Sequence, residues 1–357
     1  MRFHVAALPH TQTTKHYSPC AYTQKVRKFC DMMMALGHEV YLYASEENEA
    51  ACTELITVVT KDDQREWFGA KTLADGFDWF TWDAHERHWL IANARTITEI
   101  AKRKQPRDII CAIGGSGQKP LADAFPELQT VEFGVGYSGV FANYRVFESY
   151  AWMHAVYGAR SSVGRIMSER GQFYDAVIPN YFEVEDFPFA EEKDDYFLFI
   201  GRLIEAKGYQ IAVDACKRLG AKLIVAGAGR PPDYGEYAGV VDVRQRGELM
   251  SRARGVFVPS LYLEPFGGVH IEAMLCGTPV ITTDWGAFSE TVRHGVQGFR
   301  CRTLREFCDG AEAADKLDRR AIRDYAVSKF STEVVARQYD DYFHRLQTLW
   351  GDGFYTL

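Results

Sequence analysis

The sequence predicts two α/β domains, each an open parallel sheet flanked by helices. Its 357 residues are long for one domain and comfortable for two. In the first half an apolar run, a loop, a helical period and a second apolar run follow one another, which is the unit of a parallel sheet. The pattern breaks near Ile178-Pro179-Asn180, and the same alternation then restarts.

The elements follow in order. Phe3 to Leu8 reads as the first strand, and His10 to Cys20 as a polar loop. Val26, Phe29, Cys30, Met33 and Met34 recur at three- and four-residue spacing and mark a helix closed by Gly37. Val40 to Tyr43, Asp108 to Ile113 and Thr130 to Phe133 read as further strands. Trp67 to Trp89 is dense in aromatics without a clean period, so an irregular loop-helix is expected there, its rings used mainly for packing. The acidic stretch Glu191 to Asp195 reads as a solvated linker. In the second half strands are expected at Tyr196–Ile200, Lys222–Ala226, Gly255–Pro259 and Pro279–Thr282. Helices are expected at Tyr209–Leu219, Gly268–Cys276 and Ala287–His294. Ser331 to Trp350 is amphipathic, with Ser331 as N-cap and Glu333 in the first turn. No strand follows it, so it is free to cross back onto the first domain. The expected division is therefore 1–180 together with 331–350, and 181–330.

Composition sets limits on function. Hydrophobic residues make up 47% and charged residues 25%, enough apolar material for two cores. The net charge is −7 and neither half is basic, which argues against a broad nucleic-acid footprint. None of the eight cysteines forms a C-x-x-C pair, which fits reduced thiols and a cytoplasmic location. Met1 to Val5 reads directly as a strand rather than as a leader, and no run approaches the roughly 18 apolar residues of a membrane span.

Two motifs carry chemistry. Gly201-Arg202-Leu203-Ile204-Glu205-Ala206-Lys207-Gly208 follows a strand and opens a helix. Loops at strand carboxyl ends are where open α/β sheets bind ligands, and two cations beside a helix start suit a diphosphate. The plainer reading is a solvated helix start with two surface cations. The second motif, Glu264-Pro265-Phe266-Gly267-Gly268-Val269-His270-Ile271-Glu272, follows the strand ending at Pro259-Ser260. Gly267 and Gly268 permit close backbone approach and leave amides open at the helix start. The two carboxylates suit the hydroxyls of a sugar or ribose, against the plainer reading of a cap and a surface glutamate.

Together these residues resemble family-4 glycosyltransferases of the GT-B fold. Glu264 to Glu272 reproduces that family's E-x7-E motif in its E-P-F-G form, and Gly201-Arg202 with Lys207-Gly208 its phosphate loop. Ile178-Pro179-Asn180 and Gly277-Thr278-Pro279-Val280-Ile281, leading to Gly286 and Glu290, match in order and spacing. The resemblance runs from Ala176 to Gly298. It implies two Rossmann-like domains facing a central cleft, with a nucleotide-sugar donor held by the second. It further implies transfer with retention of anomeric configuration and no metal, and the chain has no D-x-D. By that analogy Arg202 and Lys207 hold the diphosphate and stabilise its developing charge. Glu272 binds the ribose, while Glu264 with the amides of Phe266 to Gly268 holds the transferred sugar. Gly201 and Ser260 complete the donor set.

The first half matches the family only loosely. Its first loop reads His16-Tyr17-Ser18-Pro19-Cys20-Ala21 where many members carry a Gly pair, leaving Ser18 as an acceptor-side candidate able to donate a hydrogen bond. Val131 to Tyr137 lacks the mid-domain His of many members, so Glu132, Tyr137, Asp83 and His85 are the acceptor-side candidates. Arg145 and Glu148 are spaced for a surface pair on a helix, and Arg145 is a further substrate candidate. The acceptor stays open between a small molecule, a glycan or lipid-linked intermediate, and a hydroxymethylated base in DNA. His10, Lys15, His16, Lys25, Arg27 and Lys28 motivate the DNA option. The alternatives are a nucleotide-sugar epimerase or hydrolase on the same fold, and a non-catalytic sugar-nucleotide binder.

Overall fold

In the computed structural model of the chain, the described residues are 1–71, 79–160 and 172–349. They divide into two compact units. Unit 1 comprises Met1–Glu148, Ala155–Pro179 and the C-terminal segment from Val335; unit 2 comprises Ser149–His154 and Asn180–Val334.

The strands of unit 1 are β1 (Arg2–Ala6), β2 (Glu39–Ser45), β3 (Glu54–Val59), β4 (Ile109–Ala112), β5 (Gln129–Val135), β6 (Tyr144–Phe147) and β7 (Ala176–Val177). They form one sheet in the order β3-β2-β1-β4-β5-β6-β7, every pair parallel. Its helices are α1 (Ala21–Ala35), α2 (Lys61–Phe68), α3 (Arg87–Arg103), α4 (Lys119–Ala124) and α5 (Tyr150–Arg160), whose first residues belong to unit 2. Successive side chains of a strand face opposite ways, and the sheet uses both faces. Tyr43, Ile56, Val58 and Ile110 pack with Ala92, Ile100 and Leu121 of α3 and α4. On the other face Phe29 of α1 stacks on Phe133 at 4.4 Å and meets Phe3 at 6.3 Å.

Unit 2 repeats the plan with β8 (Phe197–Ile200), β9 (Leu223–Ala226), β10 (Glu236–Tyr237), β11 (Gly255–Val258), β12 (Val280–Thr283) and β13 (Gly298–Cys301). The order is β10-β9-β8-β11-β12-β13, again parallel throughout. Around it lie α6 (Tyr209–Leu219), α7 (Val243–Arg252), α8 (Gly268–Leu275), α9 (Phe288–Thr291), α10 (Leu304–Ala313) and α11 (Arg319–Phe330). Leu198, Ile224, Val256 and Val280 face one core, shared with Met250, Ile271, Met274 and Ile322. Phe197, Phe199, Val225, Phe257 and Ile281 face the other, shared with Val213, Phe307 and Ala311. The strand order reverses between β8 and β11, and at such a reversal the loops leaving the two strands diverge and open a crevice. Both motifs leave these two strands.

The last helix, α12 (Thr332–Gln347), begins beside unit 2 in sequence and packs on unit 1. Its Phe343 lies 4.7 Å from Phe3 and its Tyr339 5.4 Å from Phe29, ring centroid to centroid. Trp350, the expected end of this helix, and residues 72–78 of the aromatic segment lie outside the described residues. Within that segment Phe80 and Trp89 are buried and Trp82 is exposed. The strands β3, β6, β7, β10 and β13 were not expected from sequence. The helix expected over Ala287–His294 is the single turn α9. Asp194 and Asp195 of the acidic stretch are exposed and pair with Arg252 and Arg254.

Candidate active site

The loop after β8 is tied to the end of β9 through Gly201 N to Ala226 O at 3.0 Å and Leu203 N to Ala228 O at 2.8 Å. It makes one 3-10 turn over Glu205–Lys207 and enters α6 through Gly208. Leu261 N, in the loop after β11, donates to Ala206 O at 2.9 Å and joins the two loops. That bond sets Lys207 beside Glu264. Lys207 Nζ lies 3.1 Å from Glu264 Oε2 and also donates to the Tyr262 hydroxyl. The carboxylate takes two more hydrogen bonds, from Ser260 Oγ to Oε2 at 2.8 Å and from Tyr262 OH to Oε1 at 2.7 Å. Glu264 is buried, Lys207 is half-buried and Arg202 is exposed beside Gly201.

Glycine at the start of α8 brings the helix close to this carboxylate. Gly267 is the N-cap at φ +83°, and a Cβ there would lie 2.8 Å from Glu264 Cγ. The first amides of α8 have no acceptor within the helix, so they and the helix dipole favour an anion or hydroxyl. Phe266 is turned into the core against Phe182, His270 and Phe330, so what it offers a ligand is its backbone amide. His270, which the sequence reading passed over, sits fully buried one turn along. Its Nδ1 donates to Gly267 O and its Nε2 meets Thr291 Oγ1 at 2.7 Å. Burial keeps this imidazole neutral, its pKa lowered to about 3. Glu272 is also buried, not a surface residue, and forms an ion pair with Arg246 of α7 at 2.7 Å. Glu290 caps the start of α5, accepting from Tyr150 N at 2.9 Å and Ala151 N at 2.6 Å. An open depression of about 790 Å³ lies at the other end of this sheet, against Tyr196, Lys222 and Arg252, away from the Lys207–Glu264 pair.

Comparison with known proteins bears on this site. The family described as Glycosyl transferases group 1 matches residues 194–319, which contain both loops. That stretch is a glycosyl transferases group 1 domain. The chain is 34% identical over 125 residues to an uncharacterized glycosyltransferase of Methanocaldococcus jannaschii, covering 30% of this chain and 32% of that protein. It is 30% identical over 191 residues to the glycogen synthase of Mycobacterium tuberculosis, covering 45% and 46%. The chain thus spans from about a third to under half of the length of these relatives. Among solved structures, AviGT4, a glycosyltransferase involved in avilamycin A biosynthesis, superposes with TM-score 0.67 at 17% identity, over 97% of this chain and 98% of that one. HepE of Anabaena, solved in complex with UDP and glucose, superposes with TM-score 0.57 at 15% identity, over 98% and 100%. The two Rossmann-like units are those of the GT-B fold.

The group 1 domain brings together Lys207, Ser260, Glu264 and the start of α8, with Arg202 exposed in the same loop as Lys207. The candidates in unit 1 do not form such a set. Glu132 is enclosed in β5 and clamps the following loop, accepting from Phe141 N at 2.8 Å, Ala142 N at 2.9 Å and Tyr137 OH at 3.1 Å. Burial raises its pKa to about 7. Asp83 and His85 are exposed in one turn, where Asp83 Oδ1 accepts from His85 N at 2.9 Å. Ser18 is half-buried and ends a 3-10 turn through its N–H to Lys15 O. Arg145 corrects the helical expectation: it lies on β6, paired with Asp175 at 2.8 and 2.7 Å, while Glu148 pairs with Lys25. The basic cluster is not a surface patch either. His10, Lys25 and Arg27 are buried, and burial lowers the pKa of His10 to about 3 and that of Lys25 to about 7. No helix of the described residues is long and apolar enough to cross a membrane.

Proposed function

We propose that this chain is a retaining glycosyltransferase that moves a hexose or pentose from a nucleoside-diphosphate sugar to an acceptor hydroxyl. The reading rests on one observation above all: Lys207 and Glu264 are joined at 3.1 Å at the reversal of strand order in the group 1 domain. Breaking the bond between the sugar carbon and the diphosphate oxygen leaves charge on the departing nucleotide. Arg202, Lys207 and the first amides of α8 are fixed positive groups for that charge, so no resident metal is assigned to the step. Glu264, oriented by Ser260 and Tyr262, holds hydroxyls of the transferred sugar, and Glu272 those of the ribose. The UDP and glucose in the HepE structure support a nucleotide sugar as the donor class. With half of its basic cluster enclosed, unit 1 favours a small hydroxylated acceptor or a glycan over a base in DNA. A cytoplasmic location goes with this reading, all eight thiols being unpaired.

The test is a binding and turnover screen with UDP-, GDP-, ADP- and TDP-sugars in the presence of a metal chelator. Binding of one donor, with nucleotide release that depends on acceptor and a product of unchanged anomeric configuration, is expected. Free epimerised sugar without acceptor would instead assign an epimerase. Donor binding that survives in correctly folded Lys207→Ala and Glu264→Ala proteins with full turnover would end the proposal.

A further inference from the structure

We infer that Arg246 is a positioning residue for the nucleotide: it holds the Glu272 carboxylate in the orientation that accepts from a ribose hydroxyl. The inference rests on the donor-site reading above. Arg246 lies on α7 and Glu272 on α8, 26 positions apart. Arg246 Nη2 donates to Glu272 Oε1 at 2.9 Å, and Nε lies 2.7 Å from Oε2. The two side chains are 18% and 11% exposed, with Nε and Oε2 enclosed.

A glutamate alone rotates about several side-chain bonds, whereas a guanidinium hydrogen-bonded to one oxygen and ion-paired at 2.7 Å to the other restricts the carboxylate. The grip aims it at the start of α8, since a Cβ on Gly268 would lie 3.9 Å from Glu272 Oε1. An ionised carboxylate has about four acceptor positions. Arg246 Nη2 takes one of them on Oε1, while Oε2 is enclosed, so Oε1 is the oxygen left to accept from a ribose hydroxyl. Arg246 is itself held in place. Helix α7 starts with a reciprocal cap between Asp242 and Gln245, and at Gly247 it approaches the chain so closely that a Cβ would meet Asp186 O at 2.6 Å. Arg246 thus acts through Glu272 and need not touch the nucleotide.

The experiment measures Kd by calorimetry for UDP, GDP and ADP, for their 2′-deoxy forms and for inorganic pyrophosphate. The proteins are wild type, Arg246→Gln, Arg246→Ala, Arg246→Lys and Glu272→Gln, each checked by thermal melting. Wild type should favour the ribonucleotide over its deoxy form by roughly tenfold or more, the worth of a hydrogen bond to a charged group. In Arg246→Gln that preference should fall to within about twofold while pyrophosphate affinity is unchanged, and Arg246→Lys should be intermediate. If Arg246→Ala does not fold, the Gln and Lys variants carry the test. A full ribose preference in Arg246→Gln overturns the inference, as does a parallel loss of pyrophosphate affinity, which would mark general loosening. A wild type without ribose preference removes the Glu272–ribose contact itself, and so fails the parent reading rather than the role of Arg246.

Discussion

Lys207 Nζ and Glu264 Oε2 are 3.1 Å apart although the two residues leave different strands. Each keeps a partner when the other is removed. Glu264 retains Ser260 and Tyr262, and Lys207 retains Tyr262. Lys207→Ala and Glu264→Ala should therefore fold, with Tm close to wild type. Their turnover should fall by roughly two to three orders of magnitude, the scale for removing one preorganised charge from a transition state. Steady-state kinetics beside a thermal melt separates the two effects. Unchanged kcat in either protein contradicts the role assigned to the pair.

Gly208 supplies a sharper test of how the phosphate loop is built. It has φ +69°, and a Cβ there would lie 2.0 Å from Pro259 O, at the end of β11. Gly220, at the other end of α6, has φ +61° but open space around its Cβ position. Gly220→Ala should cost only the left-handed backbone conformation, about 1–2 kcal/mol. Gly208→Ala adds a backbone collision that pushes the two loops apart, so it should cost more and weaken donor binding as well. Denaturant midpoints and donor Kd for the two proteins make the comparison. Equal costs would show that the loops yield freely.

The difference between what was legible in sequence and what was not follows from range. Phe197–Ile200, Leu223–Ala226 and Gly255–Val258 are short apolar runs bounded by glycines and polar residues, and each was expected within a residue of its ends. The motif from Glu264 to Glu272 is local as well. Arg145 was misread because three-residue spacing to Glu148 is compatible with a helix, whereas β6 is set by pairing with β5, where Arg145 stands opposite Glu132. The partner of Arg145 is 30 positions away and that of Glu272 is 26. No local period reports such pairs. The short edge strands β10 and β13 likewise depend on a neighbouring strand rather than on their own composition.

Two buried groups should give pH dependences of opposite sign. His270 has its pKa lowered from 6.5 to about 3, first by burial. The unfolded chain therefore takes up a proton that the folded chain refuses, and stability should fall as pH drops below 6.5. Glu132 is raised from 4.5 to about 7, again first by burial, with Tyr137 and Arg145 facing it. Its contribution is complete below 4.5 and is lost as pH rises through 7. Urea midpoints across this range should flatten on the acid side in His270→Gln and on the neutral side in Glu132→Gln. A Glu132→Gln curve parallel to wild type would contradict the buried, proton-binding carboxyl.

Arg145 decides whether β6 carries substrate chemistry or structure. Its guanidinium grips Asp175 through Nε at 2.8 Å and Nη2 at 2.7 Å, the two side chains being 2% and 1% exposed. Tyr157 OH donates to the same carboxylate at 2.5 Å. Arg145→Ala removes the only cation recorded against Asp175 among the described residues and strands a buried carboxylate. The expected cost is about 3–5 kcal/mol, which is the penalty for breaking rather than replacing a buried pair. The double change Arg145→Met with Asp175→Leu removes both charges and should recover much of that loss. Activity per folded molecule should be unchanged in both proteins if the pair is structural, since both side chains are enclosed and engaged with each other. A variant that keeps its Tm but loses kcat would instead place Arg145 against the acceptor.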